Sequence, residues 1–181
     1  MTAFEGLTAG TYTIDPTHTE ISFSVRHLAI SKVRGHFQTF AGTVEIAEQI
    51  EDSTASATID VASINTNQAQ RDEHLRTSDF FNVEEFPEMT FKSTGVAVDG
   101  GDLTINGDLT LRGVTKPVTL EAEFGGATVD GYGNTKVGFE ATTKINRQDF
   151  GVTWNAATEA GGLTLGDVIT ITIDAQLAKN N

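Results

Sequence analysis

Histidine is scarce in this chain, and its placement is the first clue to possible chemistry. His18, His27 and His36 recur every nine residues, and His74 follows at a distance. Imidazole is a common metal ligand, so a histidine site is the sharpest chemical reading. Close pairs such as His-x-His or His-Glu-x-x-His are missing, however, and nine-residue steps do not by themselves bring rings together. No metal site is expected. Asp149-Phe150-Gly151 spells the magnesium motif of kinases without the glycine-rich and His-Arg-Asp loops that it works with. No Gly-x-Ser-x-Gly elbow or Walker loop occurs. Asp15, Asp60 and Glu121 are isolated carboxylates, so no acid–base pair is readable. No catalytic residue is assigned, and the chain is not expected to be an enzyme.

The remaining polar groups of interest lie between Ile64 and Phe91. This stretch holds Arg71-Asp72-Glu73-His74-Leu75, then Asp79-Phe80-Phe81, then Phe86-Pro87-Glu88-Met89-Thr90-Phe91. Gln68–Arg76 reads as the chain's one helix, with Asn67 as its cap and Gln70 three residues on. Its apolar content is only Ala69 and Leu75, so it cannot be a core helix. Arg71, His74 and Leu75 share one face by their spacing. A polar turn of helix followed by paired aromatics suits the mouth of an apolar cavity better than plain core.

Strands must position these groups. Ile21, Phe23 and Val25 alternate with polar residues, as do Ala55, Ala57, Ile59 and Val61. The same period of two runs through Asp102–Arg112, through Val118 to Phe124, through Val137 to Ile145, and through Val168–Leu177. Between Phe37 and Phe40 the apolar phase switches, which predicts a bulge or a sharp bend. Turns are expected at Asp99-Gly100-Gly101, Arg112-Gly113, Gly125-Gly126 and Asp130-Gly131, while Asn106-Gly107 falls inside a strand pattern. So many alternating strands with so little helix imply an antiparallel sheet closed on itself, or a sandwich. Ala55, Ala57, Gly107, Ala122 and Ala141 fall in the apolar phase. A barrel of roughly eight strands lined by small residues has room for one ligand. Strands this long predict a tall, narrow bore, suited to an extended hydrocarbon. The competing reading is that these small residues pack against large ones and leave no void.

Bulk properties narrow the partners. The 181 residues carry a net charge of −13. That argues against nucleic acid and against adsorption to anionic lipid headgroups. Cysteine is absent, which rules out disulfides and thiolate zinc sites. No apolar run is long enough to span a bilayer, so no stable membrane insertion is expected. The start has neither a basic nor an apolar leader region. A cytoplasmic protein is expected on that reading, or a periplasmic or secreted one if a leader was removed. No linker divides the chain, so residues 1–181 are expected to form a single domain. A homodimer stays open, since paired copies are the commonest oligomers.

Several segments together resemble the YceI-like family of polyisoprenoid-binding proteins. They begin with Asp15-Pro16-Thr17-His18-Thr19, Ile21-Ser22-Phe23-Ser24-Val25-Arg26-His27 and Val33-Arg34-Gly35-His36-Phe37. Phe40-Ala41-Gly42, Ser63-Ile64-Asn65-Thr66 and the helical segment follow. Gly107-Asp108-Leu109-Thr110-Leu111-Arg112-Gly113 and Asn146-Arg147-Gln148-Asp149-Phe150-Gly151 complete the pattern. The resemblance runs from about Tyr12 to Ala178. It implies an all-β fold, an eight-stranded antiparallel lipocalin-like β-barrel with a short covering helix. It also implies a bound isoprenoid lipid, an isoprenoid quinone or polyprenyl phosphate, and no other cofactor.

On that basis Phe23, Val25, Phe37, Phe40, Phe80, Phe81, Met89, Phe91, Leu109, Leu111, Ile145, Phe150 and Trp154 are candidates for the apolar wall. Arg71, His74 and Arg112 are candidates to donate to a head group. His27 continues the apolar phase of its strand and joins the wall candidates. The expected function is storage, transport or delivery of the lipid. The alternatives are an enzyme acting on a hydrophobic substrate in the same pocket and a stress-response interaction module with a filled core.

Overall fold

The computed structural model describes residues 3–156 and 164–181. Three of its strands are bent and divide into two segments each. β1 (Gly10–Ile14) continues into β2 (Glu20–His27), β3 (Ser31–Phe37) into β4 (Phe40–Ile46), and β5 (Thr54–Asp60) into β6 (Ile64–Asn65). The unbroken strands are β7 (Glu88–Asp99), β8 (Asp102–Leu111), β9 (Val114–Val129), β10 (Thr135–Asn146) and β11 (Leu165–Lys179). With the bent pairs counted once, eight strands form an antiparallel meander. The last strand closes on the first. β11 pairs with β2 from Leu165 to Asp174, then with β1 from Leu177 to Lys179. The result is the closed eight-stranded barrel that the family resemblance implies, and of the two folds the alternation leaves open it is the closed sheet and not the sandwich. Closure pairs the strands all round except where the β9–β10 ladder ends early, beyond Glu121 and Thr142.

The phase switch at Phe37–Phe40 is the joint between β3 and β4. Here Ser63 Oγ accepts the amides of Gln38 and Thr39 at 3.1 and 3.0 Å and donates to Asp60 O at 2.6 Å. Two joints of the wall are thus tied to each other. At the first joint Asp15 takes the Thr17 amide at 2.9 Å and the His18 ring at 3.0 Å. Turns fall at Gly100, Gly113 and Asp130, as expected. Gly125-Gly126 is not a turn: it lies inside β9. The β9–β10 ladder slips beside it, with Gly126 at φ +122, a backbone that glycine permits and most side chains resist.

The barrel's two ends differ. One end carries the turns near residues 46–54, 99–102 and 129–135, together with both chain termini. It is solid. Tyr12, Ile46, Val137 and Leu177 pack there, next to Leu103, Leu120, Ala122 and Ala141, with Phe4 and Phe124 against them. The expected full-length bore is therefore a correction. Ala122 and Ala141 belong to this filled half. At Gly107 a Cβ would sit 2.5 Å from the Phe91 ring and 2.7 Å from the Lys92 carbonyl, so the phenyl group already holds that space. Small residues in this half pack against large neighbours.

The other end carries the β2–β3 turn, the β8–β9 turn and two long crossing segments. One crossing, residues 66–87, contains the helix α1 (Ala69–Arg76). The other follows β10 and begins with the short 3₁₀ turn Arg147–Phe150. The β9–β10 ladder stops at Glu121–Thr142 toward this end. The surface groove beyond it is lined by both strands and by Phe150, itself 2% exposed. No helix of the described residues is long and apolar enough to cross a membrane.

Candidate functional site

An apolar cavity of about 270 Å³ occupies the open end. Strands β2 and β3 give it Ile21, Phe23, Val25, Val33 and Phe37. β10 and β11 give Ile145, Leu165, Ile169 and Ile171, and the cover gives Leu75, Phe80 and Phe81. Polar groups are few: Ser22, His27, Arg71, His74, Arg147 and Thr164. A pocket with a greasy wall and a few convergent polar groups is the usual form of a small-molecule site.

Most of the sequence candidates meet on this wall. Phe23, Val25, His27, Phe37, Arg71, His74, Phe80, Phe81, Met89, Leu111, Ile145 and Trp154 all line it. Phe40, Phe91, Leu109, Arg112 and Phe150 do not. Phe40 and Phe91 are half-buried side chains packed against the barrel core, and Leu109 and Phe150 are buried within it. Arg112 turns away from the cavity. Its Nη1 donates to Gly151 O and its Nη2 to Ser78 O, both at 2.7 Å. It thereby clamps the two crossing segments together, so it is not placed to meet a head group.

The cover is held by polar contacts. Gln68, and not Asn67, caps α1: its side chain accepts the Arg71 amide at 2.5 Å, while Asn67 takes a left-handed φ of 64° just before it. Thr66 is the anchor. Its amide and hydroxyl both donate to buried Asp72 Oδ1, at 2.9 and 2.5 Å. Arg71 in turn donates to Thr66 Oγ1 at 2.8 Å and to Thr66 O at 2.7 Å. Arg76 donates to Ala62 O and Ile64 O. These bonds turn the shared face of Arg71, His74 and Leu75 toward the cavity. Charged hydrogen bonds here replace the apolar stripe that the helix lacks.

His74 joins the two crossings at the rim. Its Nε2 lies 2.8 Å from Asp79 Oδ2, and its ring stands edge-on to Phe80 and Trp154, each 5.0 Å away between centroids. Among the described residues no hydroxyl bonds a histidine ring: His18 and His74 both face carboxylates. Nor do three or more His, Asp or Glu side chains gather to hold a metal ion.

Arg147 was not among the sequence candidates. It is 4% exposed and lines the cavity. Nε donates to Gly166 O at 2.9 Å, and Nη1 donates to the carbonyls of Val152 and Trp154 at 2.8 Å each. Nη2 is 3.6 Å from Asp167. Burial pushes the guanidinium's pKa below its ordinary value, and Asp167 draws it back up. It stays charged, as guanidinium does in proteins. Its work is to fold the second crossing so that Val152, Trp154 and Leu165 reach the wall. Ile21, Val33, Ile169 and Ile171 were also missed, although strand alternation with Phe23 and Val25 marks them. Arg147 has no such signal, because its partners are backbone carbonyls.

A capped, closed antiparallel barrel with an apolar pocket at one end is a lipocalin-like fold. The YceI-like domain model matches residues 12–177, and the chain belongs to that family. It is 45% identical over 147 residues to Protein YceI of Escherichia coli, covering 80% of this chain and 77% of the relative. The crystal structure of a Campylobacter jejuni YCEI protein superposes with a TM-score of 0.73 at 32% identity, over 86% of this chain and 90% of that one. A polyisoprenoid-binding domain from Saccharophagus degradans superposes with a TM-score of 0.71 over 93% and 98% of the two chains. At 15% identity the last likeness is one of fold.

Proposed function

We propose that this protein binds one isoprenoid lipid, with its tail in the open-end cavity and its polar head at the rim. One observation carries the reading: an apolar cavity at the covered end of the barrel, with Arg71 and His74 of α1 and Arg147 and Thr164 among its few polar groups. The polyisoprenoid-binding domain of the same fold supports it. Each methylene taken from water contributes about 0.8 kcal/mol, so affinity rises with the length of tail buried, less the cost of straightening it. Arg71 and His74, which line the cavity, are the proposed donors to a quinone oxygen or a phosphate.

The volume sharpens the proposal. About 270 Å³ lies just below the roughly 300–1,000 Å³ of typical ligand pockets. A long tail must therefore displace half-buried wall groups such as Phe23, Phe81 and Trp154. Storage, transport or delivery to a membrane enzyme are the roles that such a sequestered tail serves. Mass spectrometry of organic extracts tests the reading, using protein purified from a quinone-producing host. A co-purifying molecule with an isoprenoid tail is expected. Extracts without any such lipid, from protein that also fails to take up added isoprenoid quinone, overturn it.

A further inference from the structure

We propose that the β2–β3 hairpin is a docking element for an anionic lipid bilayer. Its tip is Leu28-Ala29-Ile30. Leu28 is 42% exposed and Ile30 80% exposed. Leu28 and Ala29 hold left-handed φ values of 53° and 59°, a geometry for which hairpins usually select Asn and Gly. Apolar residues sit here despite both water and backbone preference.

Charge decides what the tip meets. Arg26 and Lys32 lie directly across from each other, and Arg34 is opposite Ser24. All three are exposed. Like charges placed opposite each other weaken a strand pair. No ion pair relieves them among the described residues. From Ile21 to Phe37 there are three cations and no acid, in a chain of net charge −13. Net charge speaks for the whole surface, and this hairpin departs from it. Asp167, the acid next to it on β11, is engaged by Gln148 at 3.2 Å and lies 3.6 Å from Arg147. The exposed acids of the first crossing, Glu73, Asp79, Glu84 and Glu85, belong to the cover and not to the hairpin.

The layering fits a membrane surface. Lys32 and Arg34 stand roughly 7 and 13 Å behind Ile30 at about 3.3 Å per residue. That puts cations at headgroup level when the tip reaches the acyl boundary. Val168, 53% exposed, lies in the bulged stretch of β11 beside Arg26 and widens the apolar edge. The inner face of the same hairpin supplies Val25, His27 and Val33 to the cavity wall, and the Leu28 amide bonds Thr164 O at 2.7 Å on the rim. Docking by this tip sets the cavity mouth against the bilayer. The inference does not depend on what the cavity holds.

Vesicle flotation with the full chain tests it. One vesicle set contains phosphatidylglycerol in phosphatidylcholine, and the other is phosphatidylcholine alone; neither contains isoprenoid. Binding to the anionic set is expected, weakening steeply with salt. Lys32→Gln and Arg34→Gln should each lower it about fivefold, the effect of one cation near a charged surface. Ile30→Asp should abolish it, while Tyr132→Ser, at the 92% exposed aromatic of the opposite end, should leave it unchanged. Wild-type protein that ignores anionic vesicles overturns the proposal, as does Ile30→Asp binding like wild type. A tip that pulls down a protein but no vesicle also overturns it. Lipid extracted from the same variants should match wild type, which keeps this test separate from that of the cavity.

Discussion

The two halves of this barrel share strands, alternation and closure, yet one is solid and the other hollow. Side-chain size along the strands does not account for it. The solid half holds Ala122 and Ala141, filled out by Phe124 and Phe139, while the hollow half is walled by Phe23, Phe37, Ile169 and Ile171. What differs is the closure at the end. At the solid end Phe4 from the N-terminal segment packs into the core. At the other end the crossings are pinned by Arg71, Arg76, Arg112 and Arg147 to backbone carbonyls. A cover fastened at its edges by hydrogen bonds can span a space without filling it.

This contrast can be broken in graded ways. Leu103→Ala, in the solid half, should cost about 2–5 kcal/mol in denaturant unfolding, because the void it leaves cannot collapse. Gly107→Leu should cost about 1–3 kcal/mol by overpacking against Phe91, and any loss of ligand should track the loss of fold. Val33→Phe, on the cavity wall, should change stability by less than about 1 kcal/mol while lowering extracted lipid severalfold. If Val33→Phe unfolds the protein as Gly107→Leu does, the halves are not different in kind. The smallest effect is expected at the joint between them. The His18 hydrogen bond, helped by the Thr17 amide and Lys136, holds the Asp15 carboxyl below its ordinary pKa of 3.8 against the opposing effect of burial. Its contribution is present above the unfolded value and lost as pH falls through the folded one. The stability gap between wild type and Asp15→Asn should therefore close in urea melts as pH drops from 5 toward 2.

An antiparallel β fold was legible because alternation recurs from strand to strand, and a single period error could not hide it; the choice of a barrel over a sandwich came from the family resemblance. The joint at Phe37–Phe40 was legible for the same reason, as a change of phase. The face of Arg71, His74 and Leu75 followed from helical spacing. Where the void lies was not legible. Ala57 and Gly107 have the same local pattern whether a neighbouring ring fills their space or not, and the Phe91 ring comes from another strand. Arg112 and Arg147 were misjudged or missed because a cation aimed at a head group and a cation aimed at a carbonyl look alike in sequence. Gly125-Gly126 has turn composition, yet the ladder carries it through as a bulge.

The helix that covers the mouth has a consequence for the order of assembly. Eight residues are too few to stay helical alone in water. Its moorings at Ala62 and Ile64 exist only after the neighbouring wall is in place. The lid is therefore expected to set last during folding and to come loose first on heating, which hydrogen exchange at the α1 amides would show as the earliest loss of protection. If the protein binds a lipid as proposed, this order lets the guest be taken aboard while the vessel is complete and the lid is still off.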